Sequence, residues 1–242
     1  LPNSFWLPPE CQEGEFVVFP PEERHHILNV LRMRPGDRID VLCLNHRLVV
    51  ELQAGEILKG KVISSSEIPA PPLVLDLAQS IPKGRKIEDA IRLCSQIGLR
   101  RIIPFFSLRS VPKLDSARTQ EKLERWRRIA IQESGVSGLP PLEVEVPSSL
   151  REVLALRPKY QLGLFFWENG EKKLKEVVQE QSNPENVLLI VGPEGGFSPE
   201  EAEMASRSGF QVVSLGERIF RTEIAGAIAS IFLFSHWGGL GE

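Results

Sequence analysis

Two stretches near the C-terminus gather the residue types from which a site can be built. In the first, an apolar run over residues 187–191 leads into Gly192-Pro193-Glu194-Gly195-Gly196-Phe197 and then Ser198-Pro199-Glu200-Glu201. Glycines let a ligand approach the backbone closely, and the C-terminal ends of parallel strands are where open α/β sheets bind ligands. Ser198 followed three residues later by Glu201, with proline at the first helical position, predicts a helix start. The spacing is neither GxGxxG nor that of a phosphate-binding P-loop; taken alone, a tight strand–helix turn accounts for it. In the second stretch, a strand over 212–215 runs into Gly216-Glu217-Arg218-Ile219-Phe220-Arg221-Thr222-Glu223 and a helix that ends near Trp237. Thr222 is placed to cap that helix. Arg221 and Glu223 offer a cation beside a proton acceptor, and the plain structural alternative is an ion pair around a helix start.

The elements that must position these residues fall into two parts. Residues 16–19, 38–42, 47–52 and 60–63 read as short strands, the last three alternating polar and apolar residues, and residues 25–31 as a short helix. Several short strands and one helix predict a small barrel. Residues 64–72, with three serines and three prolines, read as a boundary that carries no regular element. Beyond it, strands at 73–78, 101–106, 160–167 and 187–191 alternate with helices at 85–97, 119–132, 198–207 and 222–237, which implies a parallel sheet covered on both faces. The last helix is apolar nearly all round, with a smooth side of Ala225, Gly226, Ala227, Ala229 and Ser230, so it is buried in a core or an interface.

Composition narrows the function. Cys11, Cys43 and Cys94 are far apart and the four histidines do not fall at zinc spacings, so neither a metal site nor a disulfide framework is expected. The start carries no signal-peptide pattern, and the longest apolar stretch, 224–234, is too short and too interrupted to span a bilayer; no membrane association and a cytoplasmic location are expected. A net charge of −3 argues against indiscriminate coating of nucleic acid. Its distribution is uneven: basic residues dominate 83–128, a second group (Arg24, Arg32, Arg34, Arg38) lies near the N-terminus, and acid collects over 171–203. That asymmetry suits a polyanion bound on one side, although a charge run by itself is more often a solvated helix face.

The pair "VGPEGGFSPEE" and "LGERIFRTEIA", at this separation and so near the C-terminus, resembles the bacterial 16S ribosomal RNA uracil-N3 methyltransferases of the SPOUT superfamily. "HHILNVLRMRPGD", "IPKGRKIEDAI", "IGLRRIIPFFSLRSV" and "RWRRIAIQES" fall in that family's order, so the resemblance covers nearly the whole chain. It implies an α/β fold: a trefoil-knotted SPOUT domain with a parallel sheet over 69–242, preceded by a small PUA-like β-barrel over 1–68 that docks RNA. It further implies a homodimer with S-adenosylmethionine held in the knot and the 16S ribosomal RNA of the small subunit lying across both subunits. The chain departs from the family at Leu93, Gln96 and Gly135-Val136-Ser137-Gly138-Leu139, positions expected to face RNA or the partner, and reads Arg221-Thr222-Glu223-Ile224 where the family has "RTET".

On this resemblance the cofactor contacts fall to Gly192, Pro193, Glu194, Gly195, Gly196, Leu215, Gly216, Arg218, Ile219, Phe220, Arg221 and Thr222. The glycines permit close approach, and Leu215, Ile219 and Phe220 give apolar cover. RNA phosphates would meet Arg24, Arg32, Arg34, Lys83, Arg85, Lys86 and Arg109. Uracil N3 must lose a proton before its lone pair can attack; either Glu223 accepts it while Arg221 stabilises the anion, or Glu223 only orients Arg221. Two other functions share this pattern: the same fold acting on another RNA or base atom, and an RNA-binding assembly factor without catalysis.

Overall fold

The computed structural model describes residues 4–108 and 116–240. The chain divides into two compact units, residues 1–70 with 131–141, and residues 71–130 with 142–242.

The first unit holds β1 (Ser4–Trp6), β2 (Gln12–Glu13), β3 (Phe16–Val18), α1 (Pro21–His25), β4 (Arg38–Cys43), β5 (His46–Leu52) and β6 (Lys59–Glu67). They form a six-stranded barrel-like sheet in the order β1-β4-β5-β6-β3-β2, antiparallel except where β1 meets β4. Alternation puts Ile39 and Val41 of β4 and Leu48, Val50 and Leu52 of β5 into one core with Ile27. The serines expected to end this region do not: β6 runs to Glu67, with Ser64, Ser65 and Ser66 opposite Val49, Leu48 and Arg47. Cross-strand pairing overrides their turn preference, and the strand stops before Pro69. The expected short helix begins earlier, at Pro21, and continues from α1 into a π-helical turn over His26–Val30. It closes through Arg32, whose φ of 57° is left-handed.

Residues 135–139 have a structural explanation. The Gly135 carbonyl accepts from Ser4 Oγ at 3.0 Å, and a Cβ on Gly135 would stand 2.8 Å from the Ser4 carbonyl oxygen. Arg47 Nη2 donates to the Gly138 carbonyl at 2.9 Å. Gly135 and Gly138 therefore serve packing on β1 and β5.

The second unit comprises β7 (Val74–Ser80), α2 (Lys86–Ile97), β8 (Arg101–Phe106), the first part of α3 (Ser116–Ser137), β9 (Glu143–Val144), β10 (Ser148–Ser149), α4 (Leu150–Leu154), β11 (Leu162–Phe166), β12 (Lys172–Lys173), α5 (Leu174–Glu180), β13 (Asn186–Val191), α6 (Pro199–Arg207), β14 (Gln211–Ser214) and α7 (Thr222–Trp237). Its strands are parallel, in the order β10-β8-β7-β13-β11-β14-β12, with β9 on β8. β13 thus lies between β7 and β11, both earlier in the chain. Burial on both faces is visible along β13. Val187, Leu189 and Val191 join a core with α2, α3, α5 and α7, while Leu188 and Ile190 join a second core with α4 and α6.

The start of α6 and the buried side of α7 follow from sequence. Ser198 and Glu201 form the capping box at α6 with Pro199 at its start, and the buried Glu201 also accepts from the Leu108 N–H at 2.9 Å. The smooth side of α7 lies on the core: a Cβ on Gly226 would fall 2.6 Å from a Leu77 methyl, and Ala229 and Ser230 are fully buried. Ile231 and Phe232 stay exposed on its other side. Below the sheet, the buried carboxylate of Asp76 is held by Arg100 (2.6 Å), Arg101 (2.8 Å) and the Tyr160 hydroxyl. Burial, with the Asp76 carboxylate beside it, pushes the Tyr160 phenol up to about 12. No helix among the described residues is long and apolar enough to cross a membrane.

Candidate active site

The C-terminal ends of β11, β13 and β14 and the start of α7 enclose a cavity of about 1010 Å³. Every residue expected to contact the cofactor lines it, from Gly192 to Gly196 and from Leu215 to Thr222, and so does Glu223. Trp167, Glu168 and Asn169 after β11, and Lys86 at the start of α2, line it as well. Sequence reading passed over the β11 residues: a strand end is visible there, but not that β11 lies beside β13.

The two loops are tied through one hydroxyl. Gln79 at the end of β7 is fully buried, and its Nε2 donates to Thr222 Oγ1 at 2.9 Å. Thr222 Oγ1 in turn donates to the carbonyl of Gly192. This corrects the expected role of Thr222. It is the first residue of α7 rather than its cap; Arg221 holds the cap position with an extended backbone and no side-chain capping bond. The threonine side chain is spent on the clasp instead.

The glycines serve different ends. A Cβ on Gly192 would stand 3.0 Å from the Phe197 ring, which is buried against Phe165 at a centroid distance of 4.1 Å. That glycine lets the loop fold onto its own anchor. Gly196, at φ 66°, lies against the carboxylate of Glu168. Gly216, at φ 97°, has no atom within 4 Å of where a Cβ would stand. It meets the two demands of a ligand cradle, left-handed backbone and open space.

Charge in the cavity is ordered. Burial pushes the Glu194 carboxyl up, but Lys86 Nζ at 2.8 Å and the Lys83 N–H at 3.2 Å outweigh it and hold the group below the usual carboxylate range. The hydrogen bond to Glu194 raises the Lys86 ammonium. Glu223 has one oxygen, Oε2, buried with no hydrogen-bond partner among the described residues. Among the described residues no ion pair joins Arg221 to Glu223, and no side chain caps the start of α7. A buried carboxylate oxygen without a donor is costly unless a ligand supplies one.

The basic residues separate. Arg24, Arg32 and Arg34 in the first unit are exposed, as are Lys83 and Arg85 in the second. Lys86 is half-buried and paired to Glu194; Arg100 and Arg101 bind Asp76, and Arg125 binds Glu88. Arg109 lies outside the described residues.

Comparisons with known proteins agree over this geometry. The profile described as RNA methyltransferase domain matches residues 69–233, and that described as RNA methyltransferase PUA domain matches 19–45. The chain is 30% identical over 228 residues to the ribosomal RNA small subunit methyltransferase E of Bacillus subtilis, covering 89% of this chain and 88% of that protein. It is 34% identical over 191 residues to the Mesomycoplasma hyopneumoniae protein of the same name, covering 78% of each. The crystal structure of the ribosomal RNA small subunit methyltransferase E from Neisseria gonorrhoeae bound to S-adenosyl methionine superposes with a TM-score of 0.87 at 28% identity, over 98% of both chains. A putative methyltransferase from Legionella pneumophila, in complex with the same cofactor, gives 0.86 at 28%, over 97% of this chain and 98% of that one.

The clasp predicts an effect on folding. Thr222→Val leaves the Gly192 carbonyl and one N–H of the Gln79 amide, whose other bond goes to the Ser80 carbonyl, without their partner and should cost about 2–6 kcal/mol, at 1–3 kcal/mol per unsatisfied buried group. Thr222→Ser should restore most of it. Urea unfolding checks this, the midpoint falling with little change in slope; a Val variant as stable as the parent would remove the clasp from the account.

Proposed function

The chain belongs to the RNA methyltransferase family and has the SPOUT fold with a PUA-like unit, and we propose that it uses S-adenosylmethionine to methylate N3 of a uridine in the 16S ribosomal RNA of the small subunit. The single observation that carries the chemical part is the unpartnered, buried oxygen of Glu223 in the cavity formed by the two loops. The residues present fit the cofactor. Gly216 leaves open space over left-handed backbone, Leu215 and Phe220 supply apolar cover for a purine, and the Gly192 loop is fixed by Thr222. S-adenosylmethionine supplies a methyl group on a sulfonium centre, whose transfer leaves a neutral thioether.

The chain's own work is alignment, proton removal and charge neutralisation. The clasp and the Phe197 anchor hold the loops that set the approach of donor and acceptor, and alignment is the main term in such a displacement. Glu223 takes the proton from uracil N3, so that the ring nitrogen presents its lone pair. Arg221, exposed at the helix cap, neutralises the negative charge that then spreads onto the uracil oxygens. The target base leaves its stack to reach them.

Phosphates are met by the exposed Arg24, Arg32, Arg34, Lys83 and Arg85. Arg32 is telling: it occupies a left-handed position that glycine fills at lower cost, so its side chain, and not the turn, accounts for an arginine there. Lys86 we assign to the cavity rather than to RNA, because it is engaged with Glu194. Ile231 and Phe232, left exposed on α7, are the patch on which we propose two copies meet.

Labelled methyl transfer to small subunits lacking the modification, followed by nucleoside mass spectrometry, should yield N3-methyluridine; a label on another atom overturns the assignment. Arg221→Ala and Glu223→Ala should keep much of the cofactor affinity while single-turnover methylation falls about 100-fold or more. Equal rates at saturating cofactor would rule both out of the chemistry. Arg32→Ala or Arg85→Ala should reduce the salt slope of RNA binding by about one ion each, whereas an unchanged slope would exclude phosphate contact. Light scattering should give the dimer mass for the parent chain and the monomer mass for a Phe232→Glu variant; a monomeric parent overturns the pairing.

A further inference from the structure

The carboxylates around the cavity differ in what occupies them. Glu194 is engaged by Lys86 and the Lys83 N–H. Glu223 lies at the start of α7, beside the Gln79–Thr222–Gly192 clasp, on the β7–β13 side of the sheet. Glu168 follows β11, one strand further across. It has no hydrogen bond or ion pair among the described residues, and it lines the cavity. It lies close against the Gly196 backbone: the two carboxylate oxygens lie 2.5 and 3.0 Å from where a Cβ on Gly196 would be. Any residue but glycine at 196 would push this carboxylate away from the loop. The left-handed φ of 66° at Gly196 and the seat of Glu168 are thus one arrangement, and it leaves both oxygens free to accept.

We propose that Glu168 accepts hydrogen bonds from the 2′- and 3′-hydroxyls of the cofactor's ribose, and so is a binding residue for the nucleoside half of the ligand. The inference rests on the S-adenosylmethionine reading of the cavity. The reacting end of the ligand must lie by Arg221 and Glu223, on the β7–β13 side, with Lys86 close by. Glu168, across the sheet, meets the other half. There the ligand offers a vicinal pair of hydroxyl donors, and a carboxylate with two free oxygens matches such a pair, as acidic residues do for ribose in other α/β sites. Charge-assisted bonds of this kind are roughly twice as strong as neutral ones.

Calorimetric titration of the parent and of Glu168→Ala with three ligands tests this. The ligands are S-adenosylhomocysteine, 5′-methylthioadenosine, which keeps the ribose but lacks the amino-acid end, and 2′,3′-dideoxy-S-adenosylhomocysteine. Glu168→Ala should weaken the first two by the same factor, about tenfold or more, and leave the dideoxy ligand's affinity unchanged. Thermal unfolding without ligand should match the parent, since the side chain is exposed. Undiminished affinity for S-adenosylhomocysteine overturns the proposal. So does a loss confined to ligands with the amino-acid end, which would mean that the carboxylate serves the ammonium group, and so does an equal loss for all three, which would mean that it only shapes the loop. A parent protein that binds neither S-adenosylhomocysteine nor 5′-methylthioadenosine would instead bring down the cofactor reading itself, a result distinct from all of these.

Discussion

Three segments far apart in the chain meet at the hydroxyl of Thr222, which accepts from Gln79 and donates to the Gly192 carbonyl. β7 brings the amide, β13 brings the carbonyl, and α7 brings the hydroxyl. A hydroxyl is the smallest group that can both accept and donate across such a gap. With Gln79 fully buried, no water competes for its N–H. The rest of the site is built outward from that point. The Gly192 loop is pinned at its first residue by Thr222 and at its last by Phe197, so its intervening backbone is held at both ends. The second loop is pinned where it becomes α7. A cavity between two loops that share a fixed point keeps its shape without a ligand, and that preorganisation is what alignment of two reactants requires.

Close packing under the clasp sets its tolerances. Gly226 brings α7 within 2.6 Å, Cβ position to methyl, of Leu77, two residues before Gln79. A larger residue at 226 would clash with the Leu77 side chain, so that side chain or the helix beside the Gln79–Thr222 bond would have to shift. The small residues of α7 therefore help to set the clasp, although among them only Ala225 lines the cavity. The same economy holds at Gly192, whose missing side chain is the space occupied by Phe197.

Much of this was legible from sequence, for reasons that differ by residue. Capping chemistry located α6, because Ser198, Pro199 and Glu201 interact within four residues. Continuous apolar runs located β8, β13 and α7, because a strand of a covered parallel sheet and a buried helix are apolar on every side. The two loops were found by glycine content and by resemblance. What stayed hidden depends on contacts between distant segments. Thr222 looks like a cap to any local rule, and only the approach of Gln79 from 143 residues away gives its hydroxyl other work. Lys86 looks like one cation in a basic run until Glu194 is placed beside it. Ser64 to Ser66 look like a linker until β5 offers them an edge. Glu168 carries no local signal, since its seat is made by Gly196 on a neighbouring strand's loop.

The distribution of charge follows the same logic of partners. Within the second unit part of the basic run is paired at close range: Arg100 and Arg101 with the buried Asp76, Arg125 with Glu88, Lys86 with Glu194. Lys83 and Arg85 are exposed and flank Gly84, whose φ of 69° turns the chain just before α2. They stand at the same end of the sheet as the cavity, because the residues after β7 and those after β13 leave adjacent parallel strands in the same direction. On the proposed function, a polyanion drawn to that edge by Lys83 and Arg85 would reach Arg221 and Glu223 without a general positive field over the molecule, which the net charge of −3 does not provide. Selectivity for a structured RNA is better served by a few placed cations than by many, since every unpaired cation also strengthens binding to the wrong sequence.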